Sequence, residues 1–338
     1  MEEFAAGGAW PGAVAVSGGG DSLALLHLAA RWAKATKKTA PLVLVVDHGL
    51  RPGSAAQARG VAKAARALGL ATTLLHWTPR KNMKGGIEAA AREARYRLMG
   101  AALRRAKRGT LYVGHTEDDQ AETFLLRLAR GSGLDGLSAM RALAPFPHAD
   151  FPELTVARPL LGFTRAELRG WLTARKLAWL EDPMNSDPRF DRVKVRRLAP
   201  ALAEAGLSSG RIALAARHMA AAREALELVT GAVLERAVRP TPADSRQPGL
   251  LLDPAALAAA PRELSLRALA ALLQRVSGQA YRPRFAALER LHGRIAAATL
   301  GGGATLCGCS VRPAPKAEQV FGPSTLKILP ESRRPSSR

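Results

Sequence analysis

The run Ser17-Gly18-Gly19-Gly20-Asp21-Ser22 carries the densest chemistry in the sequence. Its glycines let a backbone approach a ligand closely and accept positive φ. Successive backbone N–H groups can form an anion nest. The hydroxyls of Ser17 and Ser22 can donate to phosphate oxygens, and Asp21 beside an anion suggests Mg²⁺, a hard cation that takes oxygen ligands. The run does not end as a Walker A loop does, on Gly-Lys-Ser/Thr, and its glycines do not have G-x-G-x-x-G spacing. It also reads as a glycine-rich turn in which Asp21 caps a helix. A second cluster, from Gly114 to Thr123, gathers His115, Glu117, Asp118, Asp119 and Glu122. On a helix, Asp118 and Glu122 share a face with Asp119 close by. Such a set suits Mg²⁺ or an ammonium group, although acids in a first turn also simply favour the helix dipole. Thr116 is placed to cap that helix. A third element, Val46 to Pro52, sets Asp47 beside His48, either for nucleotide binding or proton transfer or as a strand-end turn with a satisfied histidine.

These residues need a scaffold, and the flanking pattern supplies one. Apolar runs at Gly12–Val16, Leu42–Val46, Ala71–Trp77 and Thr110–Val113 alternate with helical stretches at Asp21–Lys34, Ala55–Leu68, Glu88–Arg108 and Glu117–Arg130. Strands apolar on both faces and alternating with helices predict a parallel sheet covered on both sides. Its ligands would bind beyond the carboxyl ends of the strands, where all three clusters fall. From Thr164 the pattern turns helical, first at Thr164–Lys176, where Thr164 and Glu167 have capping-box spacing, then at Leu207–Arg236 and Arg262–Val276. Thr241 to Gly249 reads as a linker or loop, and Glu331 to Arg338 as a disordered tail.

The chain's 338 residues suit roughly two domains of ~150 residues each. A hydrophobic content of 47% argues against disorder, and no run approaches the ~18 apolar residues of a membrane span. The acidic start, Met1-Glu2-Glu3, is unlike a signal peptide. Two cysteines, Cys307 and Cys309, are too few for a disulfide framework. A cytoplasmic location is the resulting expectation. The net charge of +22, from 50 Lys plus Arg against 28 Asp plus Glu, points to a polyanionic partner, most commonly nucleic acid.

Ser-Gly-Gly-x-Asp-Ser after a first strand resembles the PP-loop of ATP pyrophosphatases. The ordered set narrows this to a resemblance to the tRNA(Ile)-lysidine synthetases. It comprises Ser17–Ser22, Val46–Pro52, Ile87–Tyr96, Gly114–Thr123, Leu125–Leu137, Ala157–Leu161 and Glu181–Asp187, and covers about residues 12 to 200. The chain departs from the family pattern at Thr116, where a second histidine is common, at Gly86, where an asparagine is common, and around Arg192-Val193-Lys194-Val195-Arg196. The resemblance implies an α/β PP-loop domain, adenine nucleotide alpha hydrolase-like, over residues 1–200. A mainly helical tRNA-binding region would occupy 201–330. It implies a ligase forming a C–N bond: ATP with Mg²⁺ adenylates the wobble cytidine of a tRNA(Ile) with CAU anticodon at the oxygen on C2. Free L-lysine then displaces AMP to give lysidine, which changes the codon read. ATP would be held by Ser17 to Ser22, Asp47 and His48; Mg²⁺ by Asp21 and Asp118. Asp21, His115, Asp119 and Glu122 would be catalytic, with Asp119 and Glu122 holding or deprotonating the lysine amine. Arg92, Arg95, Arg192 and Arg196 would meet the tRNA, with Arg197 a further candidate. Membrane attachment is not expected, and a homodimer is left open. Another PP-loop tRNA-modifying enzyme, such as a thiolase, is disfavoured because Cys307-Gly308-Cys309 is remote in sequence from every motif. A non-catalytic RNA-binding protein is disfavoured by the retained carboxylates.

Overall fold

The computed structural model describes residues 1–50, 52–78, 87–181, 191–245, 247–279 and 282–331. Gly86, the Asp182–Asp187 part of the family-like run and the tail from 332 onward lie outside the described residues. Two compact units emerge, Met1–Ala220 and Ala221–Arg338. The division falls inside a long helix, whereas the resemblance implies a domain boundary near residue 200.

After a short helix α1 (Glu2–Ala6), the first unit builds one sheet from β1 (Ala13–Ala15), β2 (Leu42–Asp47), β3 (Thr72–His76), β4 (Thr110–Tyr112), β5 (Leu143–Pro145) and β6 (Thr155–Ala157). The strand order is β3-β2-β1-β4-β6-β5, and every pair is parallel except β5 with β6. Helices α2 (Gly20–Ala35), α3 (Ser54–Ala67), α4 (Ile87–Arg105) and α5 (Glu117–Ala129) each follow one of the first four strands. Alternation along β2 shows why the strands read as uniformly apolar. Val43 and Val45 pack with Leu25, Leu26 and Ala62, while Leu44 packs with Tyr96, Leu103 and Leu111 on the other face. Both faces are covered, as expected for a parallel sheet. The unit continues through α6 (Leu134–Leu137), α7 (Arg165–Thr173), α8 (Asp191–Glu204) and the start of α9 (Ser209–Ala237).

Helices α10 (Pro254–Ala258), α11 (Arg262–Ser277) and α12 (Phe285–Ala296) make up much of the second unit, in line with its helical pattern. They pack on an antiparallel sheet that the sequence reading does not contain. Its strands β7 (Val238–Pro240), β8 (Leu250–Leu252), β9 (Ala304–Leu306), β10 (Cys309–Pro313) and β11 (Leu326–Pro330) lie in the order β7-β8-β11-β10-β9. The Thr241–Gly249 segment is the loop joining β7 to β8, closed by a Thr241 N–H to Gly249 carbonyl bond of 3.1 Å. Cys307 (φ 56°) and Gly308 (φ 68°) form the tight turn of the β9–β10 hairpin, and both cysteines are free thiols. Among the described residues, no helix is long and apolar enough to cross a membrane.

Candidate active site

The chain runs outward from β1 to β3 and then returns to lay β4 against β1. At such a reversal the connections leave to opposite sides, and a crevice opens beyond the strand ends. The glycine loop and the acidic helix line it.

The loop is held by its own serines. Ser22 Oγ donates to the Gly19 carbonyl (2.9 Å) and accepts from the Ser17 N–H (3.2 Å). Gly18 has φ +95°, and a Cβ there would stand 2.8 Å from Val61 and 2.9 Å from Leu180, so conformation and space both demand glycine. Gly19 occupies the N-cap of α2 without a side-chain cap. The first N–H groups of the helix therefore remain available to an anion. Gly114 brings the acidic helix close: a Cβ on it would lie 2.8 Å from the Asp21 carbonyl oxygen.

Thr116 caps α5 in a full capping box, and its N–H and Oγ donate to Asp119 Oδ2 at 2.9 and 3.0 Å. Asp119 and Glu122 are buried. Burial alone would raise the Asp119 pKa, but the Thr116 N–H and the cationic side chains of Arg165 and Arg192 hold it below the usual range. At Asp21 burial wins: its pKa is raised, with Asp119 adding to the rise and Arg165 opposing it.

Arg165, which the sequence reading missed, ties these acids together. Its Nε lies 3.2 Å from Asp21, its Nη2 3.4 Å from Asp119 and its Nη1 3.4 Å from Glu122. Its backbone N–H donates to Asp118 Oδ2 at 2.7 Å. The Thr164 capping box, seen in the sequence and present here, marks this helix start, but nothing in one sequence says that its first side chain crosses to another motif. Arg196 forks onto Glu122 at 2.6 and 3.1 Å. Of the three arginines left open on α8, it is the one lining the crevice; Arg192 and Arg197 are exposed.

Two cavities result. One, of about 500 Å³, is lined by Ser17, Gly19, Gly20, Asp21, Ser22, His48, Arg95, His115, Asp119 and Arg165. The other, of about 410 Å³, has aliphatic walls from Leu125, Val195, Leu202 and Ile212 and carboxylates from Asp118 and Glu122. Arg165 and Arg196 border both. Asp118 thus faces the second cavity, and Asp119 is the acid that joins Asp21 in the first. Asp47 lines neither. Its Oδ1 accepts from the Gly49 N–H (3.0 Å) and its Oδ2 lies 3.5 Å from His76, a strand-end role. Arg92 and Arg95 lie against the ring of Tyr96, with their guanidinium carbons 5.1 and 5.6 Å from its centre; Arg92 is exposed and Arg95 half-buried.

Comparison with known proteins decides what this site belongs to. The PP-loop domain family matches residues 9–202. A tRNA(Ile)-lysidine synthase from Bradyrhizobium sp. is 42% identical over 86% of this chain and 81% of its own length. Another, from Wolbachia pipientis wMel, is 37% identical over 95% of this chain and 71% of its own length. The chain belongs to the tRNA(Ile)-lysidine synthase family. Its members are PP-loop ligases, and the family's ATP use is consistent with the glycine loop. Among solved structures, U34-tRNA thiolase NcsA from Methanococcus maripaludis superposes with a TM-score of 0.48 at 16% identity, over 61% of this chain and 69% of that one. At Thr116, where the sequence departs from the expected pattern, the structure places the N-cap of α5.

Proposed function

We propose that this protein joins free L-lysine to C2 of the wobble cytidine of a tRNA(Ile) with a CAU anticodon, at the expense of ATP, in the cytoplasm. The observation carrying the proposal is the pair of cavities bordered by Arg165 and Arg196. The reaction has two stages with two different occupants. In the first, the cytidine O2–phosphorus bond forms and pyrophosphate leaves with the electron pair of the broken bond. In the second, the lysine ε-nitrogen attacks C2, and AMP leaves with the oxygen.

The larger cavity suits the first stage. Free N–H groups at the start of α2 meet phosphate oxygens without a desolvated side-chain cation. Asp21 Oδ1 is buried with no hydrogen-bond partner among the described residues, an acceptor that fits Mg²⁺. When bound, the ion would neutralise charge on the departing pyrophosphate. The smaller cavity suits lysine: its aliphatic walls match a four-carbon chain, and Asp118 and Glu122 offer partners for ammonium. The lowered pKa of Asp119 favours holding a cation over taking a proton, and Glu122, which lines the smaller cavity, is placed to meet the amine. Arg92, Arg95, Arg192 and Arg196 supply donors for the anticodon backbone or base edges, and the charge of +22 supports salt-sensitive tRNA binding.

Purified protein, labelled lysine, ATP and an isoleucine tRNA transcript bearing CAU test this directly. Lysine should enter the transcript and pyrophosphate should be released, both lost when the wobble cytidine is replaced. Pyrophosphate release without lysine transfer would refute the nucleophile, and no turnover would refute the reaction.

A further inference from the structure

Strands β4 and β6 run side by side with Tyr112 opposite Ala157, and the ladder extends through the Val113 N–H to the Ala157 carbonyl at 3.0 Å. His115 and Arg158 therefore leave the same end of neighbouring strands. Arg158 is fixed at two other points. Its backbone N–H donates to the Ala142 carbonyl (2.7 Å) and its Nη1 to the Arg141 carbonyl (2.9 Å). Its Nε then donates to His115 Nδ1 at 3.2 Å. A guanidinium has no acceptor and keeps its protons at every physiological pH. Nδ1 must therefore present its lone pair, and the single ring proton must sit on Nε2.

We infer that Arg158 is a positioning residue that holds His115 in the neutral Nε2–H form, so that His115 serves the reaction as an uncharged hydrogen-bond donor to a phosphoryl oxygen rather than as a base. The inference rests on the adenylation reading above. Both ring nitrogens are committed, so His115 has no lone pair with which to take a proton from lysine. Protonation would set a second N–H against the Arg158 N–H. The wider surroundings agree: burial, with Arg158, Arg192 and Arg92 nearby, pushes the His115 pKa down to about 4 against the opposing pull of Asp119. As the cytidine O2–phosphorus bond forms and the bond to pyrophosphate breaks, charge builds on the non-bridging oxygens. A fixed neutral donor stabilises that charge while keeping its proton.

Nitrogen-15 NMR of ring-labelled histidine reads the tautomer directly and needs no turnover, so it stands even if the nucleophile is not lysine. The expected spectrum shows a protonated Nε2 and a bare Nδ1 near neutral pH. Protonated Nδ1, or an imidazolium, would overturn the inference. In the adenylation step, followed by pyrophosphate release, His115→Gln keeps an uncharged donor near the Nε2 position. It should stay within about tenfold of wild type, whereas His115→Ala should lose about 100-fold in kcat. Equal loss in both variants would overturn the donor role. Arg158→Met should give a mixed or titrating His115 signal and about tenfold lower kcat, with KM for ATP little changed, and Arg158→Lys should recover part of it. An Arg158→Met protein with the wild-type tautomer would remove Arg158 from the account. Circular dichroism of each variant confirms that it is folded before its kinetics are read.

Discussion

The two units each contain a buried ion-pair network, and the two are built on opposite plans. In Ala221–Arg338, Lys327 is 2% exposed and Glu318 8%. The ammonium lies 2.6 and 2.8 Å from the two Glu318 oxygens and 2.9 Å from Ser245 Oγ, and Ser245 in turn donates to Glu318 at 2.7 Å. The ammonium lies against both carboxylate oxygens, and Oε1 accepts the directed hydrogen bonds while Oε2 is held by charge alone. In Met1–Ala220, one Arg165 side chain serves Asp21, Asp119 and Glu122 at 3.2 to 3.4 Å, and one Asp21 oxygen has no hydrogen-bond partner among the described residues. Short, paired contacts fix a loop against a sheet. Long, shared contacts leave acceptors in surplus, ready for a cation that arrives with substrate.

Four substitutions or titrations test that contrast. The largest effect is expected for Asp21→Asn. ATP turnover should fall about 1000-fold, while the urea midpoint holds or rises because a crowded, desolvated carboxylate is gone. A clear drop in midpoint would mean that the Arg165 network is structural after all. Lys327→Met should do the reverse. It strands a buried carboxylate and should cost about 3 kcal/mol in urea unfolding, with kcat per folded molecule unchanged. Lys327→Met with Glu318→Leu should recover most of that loss, and failure to recover would locate the cost elsewhere.

The third test is a titration of stability. His115 has a folded-state pKa of about 4, against roughly 6.5 when unfolded. Between those values the unfolded chain binds more protons, so stability should climb as pH rises through that window and level off above it. His115→Gln should flatten the climb, measured as urea midpoints across the range. The smallest effect is expected at the exposed Arg104–Glu153 pair, 2.9 Å apart. Glu153→Gln should change stability by less than about 1 kcal/mol, which gives the surface baseline for both buried networks.

How much of this the sequence disclosed follows from the range of each interaction. The parallel sheet, its first helices, the cap at Thr116 and the capping box at Thr164 are local patterns, and they stand in the structure at nearly the expected bounds. The glycine loop is local too. Arg165 and Arg158 were not foreseen because their roles depend on partners 144 and 43 positions away. The charge of an arginine reveals nothing about which of many acids or rings it will reach. Asp118 and Asp119 are adjacent in sequence, so only the phase of α5 separates the acid that faces the first cavity from the one that faces the second. The antiparallel sheet escaped notice because its strands are three to five residues long and do not alternate regularly with helices, so no strand-helix rhythm marks them as it marks β1 to β4.

Gly114 has one more consequence. Any side chain there would strike the Asp21 carbonyl at 2.8 Å and Ser22 Cα at 3.1 Å, so the nucleotide loop and the acidic helix meet backbone to backbone. Their separation is a property of the main chain, fixed before any catalytic side chain is chosen. Descendants of this chain can therefore explore new nucleophiles by changing α7 and α8, whose side chains border the second cavity. The gauge between phosphate and acid is not open to variation one residue at a time.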